Sequence, residues 1–158
     1  MSDLKQLWDL LDDFTFCMAT THDGDTLRSR PMSPRVDAEA GVVRFLVETG
    51  TTMTRQIEQD DDVNLAFIAP TDRNFISLSG TASISEDRAM IKQLWNKAAE
   101  AWFVGGPERA NVAVVTVHPT YAEFWDGESS DIKMMWEMAK ARRHDRKPDV
   151  TEHKKMPM

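Results

Sequence analysis

Segments of high β-propensity follow one another along this chain, the first three with too little sequence between them for crossover helices. Residues 14–21 (FTFCMATT), 26–36 (TLRSRPMSPRV), 42–47 (VVRFLV), 63–69 (VNLAFIA), 75–84 (FISLSGTASI), 112–117 and 121–125 are the strand candidates. Parallel neighbours need a connection of a dozen or more residues, usually helical. Between the first three segments there is room only for turns, and His22-Asp23-Gly24-Asp25 is a turn sequence. These strands must therefore pair antiparallel. Helical spacing marks Leu4, Leu7, Trp8, Leu10 and Leu11 as a first helix, capped by Ser2 or Asp3. Further helices are expected over 51–59, 85–99 (opened by Ser85-Glu86-Asp87-Arg88) and 131–143. Gly80 interrupts its strand and predicts a bulge or bend, and Pro119 predicts a bend before the last strand. The fold expected is mainly β (α+β): an antiparallel Greek-key barrel with helices covering its gaps.

The 158 residues suit one domain of this kind. The net charge of −7 disfavours a nucleic-acid binder, because phosphodiester backbones are repelled. Residues 139–158 are the exception: Lys140, Arg142, Arg143, Arg146, Lys147, Lys154 and Lys155 outnumber Asp145, Asp149 and Glu152. The division expected is a compact domain over 1–138 and a basic, solvated tail over 139–158. With no apolar run near ~20 residues and no targeting segment, neither a membrane partner nor an export signal is expected. The chain reads as cytoplasmic.

Several chemistries lack their residues. There is no GxxxxGK phosphate loop, no GxGxxG and no Gly-x-Ser-x-Gly elbow. His22, His118, His144 and His153 have no metal-ligand spacing, and Cys17 stands alone in an apolar strand, so no metal site and no thiol nucleophile are expected. Arg28-Ser29-Arg30-Pro31-Met32 carries more. Alternation puts Arg28, Arg30 and Met32 on one face, where two guanidinia could hold a phosphate or support a flat ring. An ordinary surface strand fits the same letters. Thr49-Gly50-Thr51-Thr52-Met53-Thr54-Arg55 offers hydroxyls and helix-start N–H groups to an anion, and reads equally as a capped turn. Trp8, Trp95 and Trp136 sit in helical patterns as core or interface anchors; Trp102, Phe103 and Trp125 lie at element ends.

Taken in order, Arg30-Pro31-Met32, residues 42–47, Gln56-Ile57-Glu58, Val63-Asn64-Leu65-Ala66-Phe67 and Ile76-Ser77-Leu78-Ser79-Gly80-Thr81-Ala82 form a recognisable series. It continues through Leu94-Trp95-Asn96, Ala101-Trp102-Phe103 and Ala122-Glu123-Phe124-Trp125-Asp126. This series resembles the general-stress-protein branch of the pyridoxamine 5′-phosphate oxidase-like superfamily. The resemblance implies an FMN-binding split β-barrel acting as a homodimer, with cofactor sites shared between chains and flavin-dependent oxidoreductase chemistry. By position, Arg30 matches the family's flavin-binding arginine, with Arg28, Ser29, Pro31 and Met32 beside it. Thr51 and Thr52 match the phosphate turn, and Thr49 precedes it. Ser77 and Trp125 match contacts made from the partner chain. No catalytic residue is implied. One departure bears on the cofactor: Met53 stands where the family's phosphate turn carries lysine. Losing that cation costs about 1–3 kcal/mol on the scale of charged hydrogen bonds. Arg55, two residues past Met53, compensates for the missing lysine only if the turn points it inward. Arg142-Arg143-His144-Asp145-Arg146 lies behind a helical insert, and no pyridoxal-phosphate site is transferred to it. Two other readings stay open, a non-catalytic flavin- or haem-binding module and a degenerate dimeric scaffold without cofactor.

Overall fold

The computed structural model describes residues 3–69, 73–125 and 154–158. Its elements are α1 (Asp3–Leu11), β1 (Cys17–Asp23), β2 (Thr26–Met32), β3 (Arg35–Asp37), β4 (Val42–Glu48), α2 (Thr52–Gln59), β5 (Asp62–Ala69) and β6 (Asn74–Ser85). They continue with α3 (Arg88–Leu94), α4 (Lys97–Trp102), α5 (Gly106–Arg109), β7 (Val112–Trp125) and β8 (Lys154–Pro157). All pairings are antiparallel, in the order β2-β1-β5-β6-β7-β4-β3, with β8 added on β7. The two ends of that order, β2 and β3, are separated only by Ser33 and Pro34. Such a link spans at most about 11 Å, so the sheet has to curl until its ends meet. This is a split barrel, seamed along residues 26–37. The expected single extended segment 26–36 is thus two strands, because its halves pair with opposite ends of the sheet.

The barrel is filled by alternate residues. Ala19, Phe45, Val47, Leu65, Phe67, Ile76, Leu78, Val115, Val117 and Phe124 share one buried cluster. Leu7, Trp8 and Leu11 of α1 belong to the same cluster, and Met53 and Ile57 of α2 join it. Phe14 meets Phe67 edge-on at 5.4 Å, worth about 1 kcal/mol beyond its buried area. A second cluster lies behind β7, where Val112 and Val114 pack with Ile91 and Ala110. The first half of β7 is therefore buried on both faces.

β7 changes parity halfway. Val115 and Val117 point into the barrel, and so do Ala122 and Phe124. Thr120 is the extra residue: Ser79 pairs with Tyr121 and Gly80 with Pro119. One unpaired residue moves every following side chain to the other face. The bulge expected at Gly80 is present, with the additional residue on the opposite strand. Gly80 is required there, since a Cβ would sit 2.1 Å from the His118 carbonyl oxygen and 2.8 Å from the Pro119 Cα. The segments expected as separate strands, 112–117 and 121–125, form one strand because β6 bonds across the bulge.

Two helix expectations change. The stretch 85–99 divides into α3 and α4. Asp87 caps α3 by accepting from Ala89 N–H, and Asn96 caps α4 by accepting from Ala99 N–H. The Asn96 cap has extended backbone and restarts the chain in a new direction. The helix candidate 131–143 and Trp136 lie outside the described residues. Of the basic tail, residues 154–158 are described. β8 lies along residues 121–124, Met156 and Met158 pack on the barrel core, and Met158 N–H donates to the Thr120 carbonyl at 3.0 Å. No helix among the described residues is long and apolar enough to cross a membrane.

Gly80→Ala forces backbone of β6 and β7 apart. Urea unfolding should show a loss of about 3 kcal/mol, at the upper end of overpacking costs, with an unchanged m-value. A variant as stable as wild type would show that the bulge can yield.

Candidate functional site

Arg28, Arg30 and Met32 face Thr21, Ala19 and Cys17 across the β1–β2 ladder. They share the inner face of the sheet, as alternation requires. Arg30 turns inward against α2. Its Nη1 donates to Thr21 Oγ1 at 2.7 Å, its Nη2 donates to Gln56 Oε1 at 2.7 Å, and Thr21 Oγ1 donates to the same Gln56 oxygen at 2.7 Å. Thr21 is 1% exposed and Gln56 4%. Burial, then the neighbouring Arg28, lowers the Arg30 pKa from its ordinary value, while Asp23 opposes the shift. The ordinary value is so high that the guanidinium stays charged.

The Gln56 amide has only one orientation here. Arg30 can only donate, so the amide must present its oxygen to it. Nε2 is then the group left over: it is buried and has no partner among the described residues. A buried donor in that state costs about 1–3 kcal/mol. The other buried side-chain atom described without a partner is Arg44 Nε, whose guanidinium still reaches Asp37 Oδ2 at 2.8 Å.

α2 carries Gln56 because its N-terminus is well defined. Gly50 takes φ +70°, and Thr51 is the N-cap, with Oγ1 accepting from Thr54 N–H. Met53, Thr54, Gln56 and Ile57 form the buried face, packed on β1 and β6, while Thr52 and Arg55 are exposed. The Thr49–Arg55 segment is thus the capped turn that its letters allowed. It still presents the positive end of a helix, with Thr52 and Arg55 free to meet a ligand. Met53, at 7% exposure, is core, so position 53 itself offers no cation.

The remaining predicted residues lie elsewhere. Ser29, Pro31, Ser77 and Trp125 alternate with inward residues, so they belong to the outer face of the sheet. There Ser29 and Thr20 hydroxyls bond each other, and Asn64 Nδ2 donates to Ser77 Oγ at 2.8 Å and Ser79 Oγ at 3.0 Å. A hollow of about 310 Å³ opens on this side, lined by Thr20, His22, Leu27, Asn64, Ser79 and Thr120 among others. Leu27 (68% exposed) and Ile68 (53%) border the same face with Met18 and Tyr121. Within one chain, the predicted residues therefore fall into two groups on opposite faces.

The sequence reading missed Thr21 and Gln56. Thr21 could have been found by parity with Ala19, and Gln56 by its place between Met53 and Ile57 on one helical stripe. Also unforeseen is that Asp60, first of three consecutive aspartates (Asp60-Asp61-Asp62), meets His22: its Oδ2 lies 3.9 Å from His22 Nε2 at the C-terminus of α2. Trp102 is highly exposed, whereas Phe103 packs against Trp95 at 5.9 Å.

The family profile described as Pyridoxamine 5′-phosphate oxidase like matches residues 2–149. The chain belongs to this family. A crystal structure from Jannaschia sp. CCS1, named for a general stress protein 26, is 27% identical, with a TM-score of 0.73 and full coverage of both chains. The general stress FMN/FAD binding protein from Xanthomonas citri is 26% identical, with a TM-score of 0.70, over 80% of this chain and 90% of that one. The curated relative Protein bli-3 of Neurospora crassa is 32% identical over 120 residues, 69% of this chain. The chain spans 57% of the length of that relative. These likenesses place the chain in the general-stress-protein branch.

Cys17 is buried in the core, and burial pushes its thiol up to about 12. The thiolate is the reactive form. A thiol reagent at mildly alkaline pH should leave the native protein unlabelled and label it fully after unfolding. Rapid native labelling would overturn the burial argument.

Proposed function

We propose that this chain binds FMN at a site shared between two copies, and that it is a flavin-dependent oxidoreductase of the stress-protein type rather than a pyridoxamine phosphate oxidase. The observation that carries this reading is the Arg30–Thr21–Gln56 triangle beside the start of α2, in which a part-buried guanidinium meets two buried polar side chains. A charged guanidinium and an unsatisfied amide donor lie where a phosphate-bearing ligand would supply acceptors. The residues fit the group: Arg30 and Gln56 from inside, Thr52, Arg55 and the α2 N-terminus from the rim. Ser77 and Trp125 lie on the opposite face and reach such a ligand only from a second copy. Exposed Leu27, Ile68 and Met18 give that outer face the apolar character of a contact surface.

Bound flavin supplies hydride or electron transfer. This chain's residues bind and orient it. Arg, Thr and Gln side chains do not exchange protons near neutral pH, so the triangle acts by charge and hydrogen bonding. The cation count at the phosphate is low, because Met53 contributes none.

Purified protein should take up FMN and turn yellow, and Arg30→Ala should weaken uptake at least about tenfold, as expected for losing a charged hydrogen bond. A titration in which wild type binds no flavin would overturn the reading. Bleaching of the bound flavin by NADH or NADPH separates a catalyst from a carrier. Met53→Lys should lower the Tm of the flavin-free protein, since an ammonium replaces a core thioether. FMN should then raise the variant's Tm more than it raises that of wild type. Equal increments would show that position 53 does not reach the phosphate.

A further inference from the structure

Gln56 is the residue on which the site's hydrogen bonding fails to close. Its oxygen accepts two bonds, from Thr21 and Arg30, and its nitrogen donates none. Rotating the amide does not help, because it would aim N–H donors at a guanidinium that has only donors of its own. Withdrawal to solvent is blocked, since Gln56 is 4% exposed and sits between Met53 and Ile57 in the packed face of α2. The orphan therefore persists because Arg30 fixes the oxygen and the core fixes the stem.

Within the triangle Arg30 only donates, and Thr21 Oγ1 is already engaged, accepting from Arg30 and donating to Gln56 Oε1. A carboxylate in place of the amide would have served Arg30 equally well, with an acceptor oxygen at the position of Nε2. What the amide adds over a carboxylate is one N–H donor, and no protein acceptor among the described residues meets it. A ligand rich in oxygen acceptors would.

We infer that Gln56 is a ligand-contacting residue of the site, its Nε2 donating to an oxygen of the flavin's ribityl phosphate arm. This rests on the flavin reading above. Arg30 and Gln56 then act as a unit: Arg30 neutralises the arm and orients the amide, and the amide supplies the neutral donor that the missing lysine does not.

The test uses the full-length protein and three probes: FMN, riboflavin and lumichrome, the last keeping the ring system without the arm. The side-chain amide pair of Gln56 is assigned in a ¹⁵N–¹H spectrum by its absence in Gln56→Glu. On addition of FMN, a Gln56 Nε2 proton should move downfield and exchange more slowly with water, and lumichrome should leave it in place. Gln56→Glu keeps an oxygen toward Arg30 and Thr21, so the variant should stay folded, with a Tm close to that of wild type. Its FMN affinity should fall about tenfold or more, and its riboflavin affinity less. Wild type that binds FMN with the Gln56 amide unmoved, or an amide moved equally by lumichrome, overturns the inference and leaves the flavin reading standing. Wild type that takes up none of the probes overturns both.

Discussion

β7, 14 residues long, is bonded along both edges, to β6 on one side and to β4 and then β8 on the other. The rest of the barrel depends on how this strand survives a change of parity. Before the bulge its two faces serve two cores, the barrel interior and the α3–α5 layer. After it, one face fills the barrel and the other turns outward. Without the extra residue Thr120, Glu123 and Trp125 would point into the interior, and Ala122 and Phe124 outward. The close approach of β7 backbone to Gly80 makes the change possible, and the freed Thr120 groups are not wasted: its carbonyl accepts from Met158 N–H and its hydroxyl donates to the Ser79 carbonyl.

The same rule of alternation decides what a single chain can present to a ligand. Arg30 follows Ala19 and Thr21 to the inner face. Ser77 follows Asn64 and Ser79 to the outer one. No rotamer change moves a strand residue across a sheet, so the two groups act on one ligand only if different chains supply them. The proposed shared site is thus a consequence of strand parity together with the roles the family resemblance assigns.

Much of the architecture was legible because local signals agreed with the tertiary outcome. Residues 42–47 and 63–69 are strands in any context, Thr51 is a good cap, and Gly80 marked its own irregularity. The failures came where non-local pairing decides. Residues 26–36 look continuous by propensity, yet Ser33-Pro34 is where the strand leaves β1 and joins β4 at the far end of the sheet. The stretch 85–99 has helical spacing throughout, yet Asn96 starts a separate helix. At the site, Arg30 was visible by residue type, while its partners were not. Thr21 looks like any strand threonine and Gln56 like any helix glutamine until the barrel closes and brings residues 35 positions apart within hydrogen-bond distance.

Closure also explains why the triangle is built from an arginine and two neutral groups. A carboxylate at position 56 would be a buried charge paired with the part-buried Arg30, and such pairs add little net stability. It would also cancel the charge that an anionic ligand needs, in a protein already at −7. An amide holds the guanidinium in place and leaves its charge unspent. The cost is one buried donor without a partner, of about the same size as one hydrogen bond. In the proposed site that loss is recovered when an acceptor oxygen meets the amide, so the donor left over inside the fold would contribute to binding rather than to stability.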